Sequence, residues 1–120
     1  HQPHSLMPLY QKAADVLVIP NSGKFAISKY YTSPLKAFSY MASQRPIVAT
    51  DLPSLREILN DKNAFFTEPD NPKSLAEKIV EAINNEELAN KLAEQAFLDV
   101  QKYAWNKRAE NILKHISVNL

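Results

Sequence analysis

Asp15-Val16-Leu17-Val18-Ile19-Pro20 is a continuous apolar run, rich in β-branched residues and closed by a proline. Pro46-Ile47-Val48-Ala49-Thr50 repeats the pattern, and Ala64-Phe65-Phe66-Thr67 gives a shorter third copy. Apolarity that is continuous rather than alternating fits a parallel strand covered on both faces. The segments between these runs have helical spacing. Ser5 to Ala14 places Leu6, Leu9, Tyr10 and Ala13 on one face, with Ser5 as the expected N-cap and Pro8 in the first turn. Ser33-Pro34 opens a second helix that runs through Gln44 with Leu35, Phe38 and Ala42 as its apolar face, Ser as cap and Pro at the first position. Pro53 opens a third, in which Ser54 and Glu57 have capping-box spacing, and Asn60 to Asn63 breaks it.

Asn71-Pro72 repeats the cap-then-proline signature, and its helix through Asn84 carries Ala76, Ile79, Val80 and Ile83 at helical spacing. Glu86 to about Lys102 reads as a further helix with Ala93, Ala96, Phe97, Val100 and Ala104 in register. At Trp105 the apolar phase shifts to Trp105, Ala109, Ile112, Leu113 and Ile116, which predicts a bend or a separate terminal helix. The order α-β-α-β-α-β-α-α-α predicts an α/β fold, a partial Rossmann-like parallel sheet of about three strands with right-handed crossovers. Residues 1–104 form the Rossmann-like part in this reading, and 105–120 a C-terminal helix of the same domain. Doubly wound sheets usually have about five or six strands. Further strands are therefore expected upstream of His1, and the chain reads as an excised piece of a longer one.

Composition narrows the chemistry. The 120 residues are 45% apolar and 22% charged, ordinary for a globular domain. Gly23 is the sole glycine, which excludes a glycine-rich phosphate loop or a dinucleotide fingerprint in this stretch. There is no cysteine, so no disulfide, zinc–thiolate site or cysteine nucleophile. With only His1, His4 and His115, an all-histidine metal site is not expected. A net charge of +1 gives no field toward nucleic acid, and none is expected as a partner. The charge is uneven: residues 1–50 sum to +4, and residues 51–120 to −3. The positive half could face an anionic ligand, or simply reflect scattered surface lysines. No run of eighteen apolar residues is present to cross a bilayer.

Ligands of open parallel sheets bind beyond the carboxyl ends of the strands. Those ends are residues 20–34, 50–53 and 67–71, and the first is much the longest. It runs into the helix expected at Ser33, where free N–H groups of Ser33, Leu35 and Lys36 and the helix dipole favour a phosphate. Ser33 serves equally well as a plain helix cap. Lys36 could meet a phosphate as a point charge, or be solvated like Lys24 and Lys29. Tyr30 and Tyr31 could stack on a base or pack on the sheet edge. Asp51 suits chemistry at a strand end, and suits a turn at least as well. No Ser-His-Asp set can be assembled.

The segments Ala14–Pro20, Ser33-Pro34-Leu35-Lys36-Ala37-Phe38-Ser39-Tyr40-Met41-Ala42, Arg45–Pro53 and Arg56-Glu57, with Tyr103-Ala104-Trp105-Asn106-Lys107-Arg108-Ala109, resemble the C-terminal domain of group 1 glycosyltransferases. These are retaining, metal-independent enzymes of family 4 with the GT-B fold, in which the C-terminal domain binds the nucleotide-sugar donor. The resemblance implies half of such a domain, transferring a sugar in the intact enzyme from a nucleotide-diphosphate donor to an acceptor hydroxyl. No cofactor or metal is implied, the nucleotide sugar being substrate. It implies a cytoplasmic protein, peripheral to the membrane as a further expectation.

The resemblance also implies site residues. Two family glutamates, eight positions apart, fall at Tyr31 and Ser39. The second normally binds the ribose hydroxyls and the first lies near the sugar. Backbone groups matching Thr32, Ser33, Pro34 and Leu35 normally touch the diphosphate, and Lys36 joins this donor-binding set. Neither Tyr31 nor Ser39 is acidic. Charged hydrogen bonds are worth about 1.5–3 kcal/mol against about 1 kcal/mol for neutral ones. Donor affinity is therefore expected to fall roughly tenfold to a hundredfold. The family's basic diphosphate-binding pair and its N-terminal acceptor domain lie outside this sequence. No residue is a credible general base, and the isolated chain is expected to be inactive and prone to self-association through an uncovered sheet edge. The alternative reading is a non-catalytic module, either a degenerate transferase-like or a flavodoxin-like domain used in protein contacts.

Overall fold

A computed structural model describes residues 2–118. Three parallel strands, β1 (Leu17–Ile19), β2 (Ile47–Thr50) and β3 (Phe65–Thr67), lie in the order β1-β2-β3. Val18 pairs with Val48, and Val48 with Phe65. The pleat sends alternate side chains to opposite faces. Ile19, Ile47 and Ala49 meet one helical layer, whereas Val48 and Phe65 meet the other. β2 is buried along its whole length, as its uniform apolarity requires.

Helix α1 (Met7–Ala13) follows a 3-10 turn at His4–Leu6. Ser5 does not cap it, contrary to the sequence expectation; Leu6 occupies the cap without a side-chain bond. A Ser5 cap would have to reach the N–H two or three residues on, and Pro8 has none. Starting at Met7 instead places Pro8 in the first turn, where its missing N–H costs nothing.

Helix α2 (Leu35–Ala42) begins one residue later than predicted. Pro34 stands at the cap with φ −82° and ψ 66°, and Ser33 makes no cap bond. The Leu35 N–H that Ser33 would have capped donates to the Ser33 carbonyl, 2.9 Å. The buried face is Ala37 and Met41, not Leu35 and Ala42, and Leu35 is 74% exposed. Both stripes have helical spacing. Packing on α5 selects the one with the small residue, Ala37, in the same layer as Ala96.

α3 (Pro53–Arg56) has Leu52 at its cap, so Ser54 lies inside the helix and the capping box does not form. Buried Ser54 donates instead to the Ser28 carbonyl, 2.9 Å. α4 (Pro72–Asn84) starts as expected: Asn71 Oδ1 accepts from the Ser74 N–H at 3.0 Å. Asn71→Ala is expected to cost about 1 kcal/mol, read as a lowered urea midpoint with an unchanged slope. Its packed side is Leu75, Ile79 and Ala82, whereas Ala76 is exposed and Val80 and Ile83 are half-exposed. The predicted stripe was thus rotated, because the β3 side of α4 takes Leu75, one position earlier.

α5 (Glu86–Val100) buries Ala89, Leu92, Ala93 and Ala96 and is capped by Asn85. It serves both layers: Ala96 and Val100 join the Ile19 and Met41 side, and Ala89 and Leu92 join the Val48 and Phe65 side. Below it, buried Asn63 accepts from the Asn60 N–H at 2.8 Å and donates to Asp99 at 2.8 Å. That pair ties the turn before β3 to α5. A 3-10 turn at Gln101–Tyr103 and an extended Ala104 (ψ 149°) then redirect the chain into α6 (Trp105–Val118). The change of apolar phase at Trp105 is this bend.

Candidate functional site

The long segment after β1 is not irregular throughout. Residues Ile27–Tyr31 form a π-helical turn whose end is closed by Thr32 Oγ1 donating to the Ile27 carbonyl, 2.9 Å. The start of the segment, before that turn, is held by Asp70, which accepts from Ser22 Oγ at 2.6 Å and from the Gly23 N–H at 2.9 Å. These bonds, led by that from Ser22, keep the Asp70 carboxyl below its ordinary range. A side chain on Gly23 would press on Pro69 Cβ at 3.1 Å and Leu52 Cδ2 at 3.3 Å, so the chain's one glycine stands where two loops approach closely. Polar groups fasten this segment inward, while Phe25, Ile27 and Tyr31 are exposed.

Beyond the three strand ends lies a small cavity of about 290 Å³. Lys24, Thr50, Thr67, Glu68 and Asp70 contribute to its wall. Thr50 Oγ1 donates to the Ile19 carbonyl at 3.1 Å and Thr67 Oγ1 to Ser74 Oγ at 2.8 Å, so both hydroxyls serve the fold. Asp51 is likewise committed. Arg56 grips it with Nε at 2.7 Å and Nη2 at 2.9 Å, and also reaches Asp61 at 2.9 Å. The Arg56 hydrogen bond is the main reason the Asp51 carboxyl is held down, and the guanidinium stacks 3.5 Å from the centre of the Phe66 ring. The turn reading of Asp51 is the structural one.

The expected donor-binding residues all lie around the start of α2, but they divide between two grooves. Leu35, Lys36 and Ser39 face α1, where they line a cavity of about 480 Å³ with His4, Met7 and Gln11. Ser39 is exposed; its Oγ accepts from Gln11 Nε2 at 3.2 Å and donates to the Lys36 carbonyl at 3.0 Å. Ser33 faces the other way, toward α6, and Leu35 borders both grooves. Pro34 is buried at the helix cap, Thr32 closes the π turn, and Tyr31 is 78% exposed and packs edge-on to Tyr30. At the helix start the Leu35 N–H is taken by Ser33, which leaves the Ser33 and Lys36 N–H groups as donors there. His4, Met7 and Gln11 had no sequence signal as site residues, because nothing in α1 alone shows that it lies alongside α2. Among the described residues no three His, Asp or Glu side chains come close enough to hold a metal ion, and no helix is long and apolar enough to cross a membrane.

Residues 2–85 match the family model described as glycosyl transferases group 1. An uncharacterized glycosyltransferase of Methanocaldococcus jannaschii is 40% identical over 75 residues, which is 62% of this chain and 21% of that protein. Among solved structures, sucrose-phosphate synthase from Thermosynechococcus elongatus superposes with a TM-score of 0.78 at 20% identity, over 100% of this chain and 30% of that one. The C-terminal domain of a group 1 family protein from Francisella tularensis gives 0.69 at 25% identity, over 88% of this chain and 51% of that one. Anabaena HepE, solved in complex with UDP, gives 0.76 at 19% identity over 93% of this chain and 30% of that one. The chain therefore spans about a fifth of its curated relative and between 30% and 51% of these structures.

Proposed function

Because the chain belongs to the group 1 glycosyltransferases, we propose that it supplies the donor side of a retaining sugar transferase, with the groove between α1 and α2 as the nucleotide site. The observation that carries this is the convergence of Leu35, Lys36 and Ser39 with His4, Met7 and Gln11 on one cavity. In this reading the side chain and the N–H of Lys36 meet the diphosphate at the start of α2. Ser39, one turn further in, meets the ribose. A leaving diphosphate gains negative charge as the sugar departs, and fixed donors aimed at it lower the barrier without reorganising. Positioning supplies the rest, so the chain needs no metal and no general base of its own. The acceptor, and the upstream segment that completes the cleft, belong to the intact enzyme in this proposal.

UDP is the first nucleotide to test, since a fold neighbour was solved with it. In the intact protein, UDP is expected to shift the amide resonances of residues 31–39. Ser39→Glu is expected to tighten UDP by roughly tenfold, as a carboxylate gains charged hydrogen bonds to the ribose. The fold should tolerate the change, because Ser39 is exposed. No shift at 31–39 with UDP or GDP would overturn the proposal and favour a non-catalytic module.

A further inference from the structure

We infer that Asp70 is a positioning residue for the donor side. It fastens the segment between β1 and α2 to the loop between β3 and α4, so that Tyr31, Thr32 and Ser33 are set in place before a nucleotide arrives. The consequence for the nucleotide rests on the reading proposed above; the fastening itself does not.

Connections as long as residues 20–34 are ordinarily mobile. This one is pinned at two points. Near its start one carboxylate oxygen of Asp70 accepts from Ser22 Oγ at 2.6 Å, and the other accepts from the Gly23 N–H at 2.9 Å. Ser22 Oγ in turn accepts from the Lys24 N–H at 3.2 Å. At this pin the two loops touch, since a Cβ on Gly23 would crowd Pro69 and Leu52. Further along, buried Ser54 of α3 donates to the Ser28 carbonyl inside the π turn, 2.9 Å. Such turns are rare and frequent at functional sites.

The backbone shows why the first pin is an aspartate. Asp70 has φ 55°, and Gln44 is the other non-glycine residue in this left-handed region among the described residues. Glycine takes that conformation without strain, but it has no carboxylate. Bonds to a charged acceptor are shorter and stronger than neutral ones. Lys24, on the wall of the strand-end cavity, adds attraction to Asp70, while Glu68 on the same wall is occupied by Asn71 Nδ2 at 2.7 Å. A wall ordered in advance loses less freedom when a ligand binds.

Hydrogen exchange and UDP titration of the intact protein test this. Asp70→Gly suits the backbone and removes the carboxylate. It should speed exchange of the Lys29 amide roughly tenfold, about what one charged hydrogen bond contributes, while the amides of β2 keep the parent's rates. The Lys29 N–H donates to the Phe25 carbonyl at 3.0 Å, not to Asp70, so it reports on the segment rather than on the lost bonds. UDP affinity should fall by a similar factor. Asp70→Asn keeps an acceptor for Gly23 and tolerates left-handed backbone, so it should restore most of both. Unchanged Lys29 exchange in Asp70→Gly would overturn the inference. So would acceleration shared equally by β2, which marks a general loss of stability, or UDP affinity that holds in the loosened variant. Asp70→Asn as loose as Asp70→Gly also overturns it. A parent that ignores UDP overturns the nucleotide reading and with it the positioning role, and Lys29 exchange then decides the fastening alone.

Discussion

Met41→Ala is expected to lower the stability of the fold by about 2–5 kcal/mol, the range for truncating a buried large side chain. Met41 is completely buried among Ile19, Ile47, Leu55 and Ala96, where α2 meets the sheet and α5. Ala37 and Ala96 are too small to fill the space it would leave. At roughly 3–6 °C per kcal/mol for a domain of this size, the melting temperature should fall by about 10 °C or more. Met41→Leu conserves volume and should cost less than about 1.5 kcal/mol. Scanning calorimetry of the pair checks the assignment. Equal, small losses in both variants would show that Met41 does not occupy the core. Because α2 also carries Leu35, Lys36 and Ser39, Met41→Ala should loosen the nucleotide groove as well. UDP affinity is then expected to fall in step with stability at temperatures near the transition.

Asn63→Asp is expected to cost about 2–3 kcal/mol at pH 7, because the amide N–H2 that Asp99 accepts becomes an oxygen. Asn63 is 1% exposed and its Nδ2 lies 2.8 Å from Asp99 Oδ2, so the variant presses two carboxylates together. Like charges at that range cannot both ionise cheaply. The sign follows from linkage. The new pair has a folded-state pKa raised above its unfolded value, so the destabilisation is complete at pH values above the folded value. It shrinks as pH falls through that value toward the ordinary carboxylate range, where one shared proton restores a hydrogen bond. Urea unfolding at pH 7 and pH 5 should show the gap between variant and parent narrowing at the lower pH. A gap independent of pH would mean that Asp99 is not the partner. Asn63→Leu removes the charge conflict and leaves Asp99 with Gln95 as its donor among the described residues, and its cost should not change with pH in the same sense.

The strands were legible because they are short, unbroken and punctuated by proline, and because a parallel sheet buries both faces of its central strand. The parallel sheet was expected from them, whereas the strand order and the pairing register come from the structure. Helix starts were legible where the cap and the proline agreed, as at Asn71-Pro72. They were misread at Ser5, Ser33 and Ser54, each within three residues of a proline that changes which N–H needs a partner. The buried faces of α2 and α4 were misread for a different reason. Leu35 and Met41 both lie on stripes of helical spacing, and only the neighbouring helix decides which one is covered. The site followed the same division. The start of α2 could be located from sequence, but α1 as its second wall, and Leu35 as the divider between two grooves, are facts of packing with no local signature.

α5 fills gaps on both sides of the sheet, with Ala96 and Val100 on one and Ala89 and Leu92 on the other. Here a single rod closes both, like a bolt passed through two plates. Neither half-core can open by itself without moving the helix that the other depends on. The amides of β2, sandwiched between the halves, are therefore expected to be the slowest to exchange, released only when both half-cores open together.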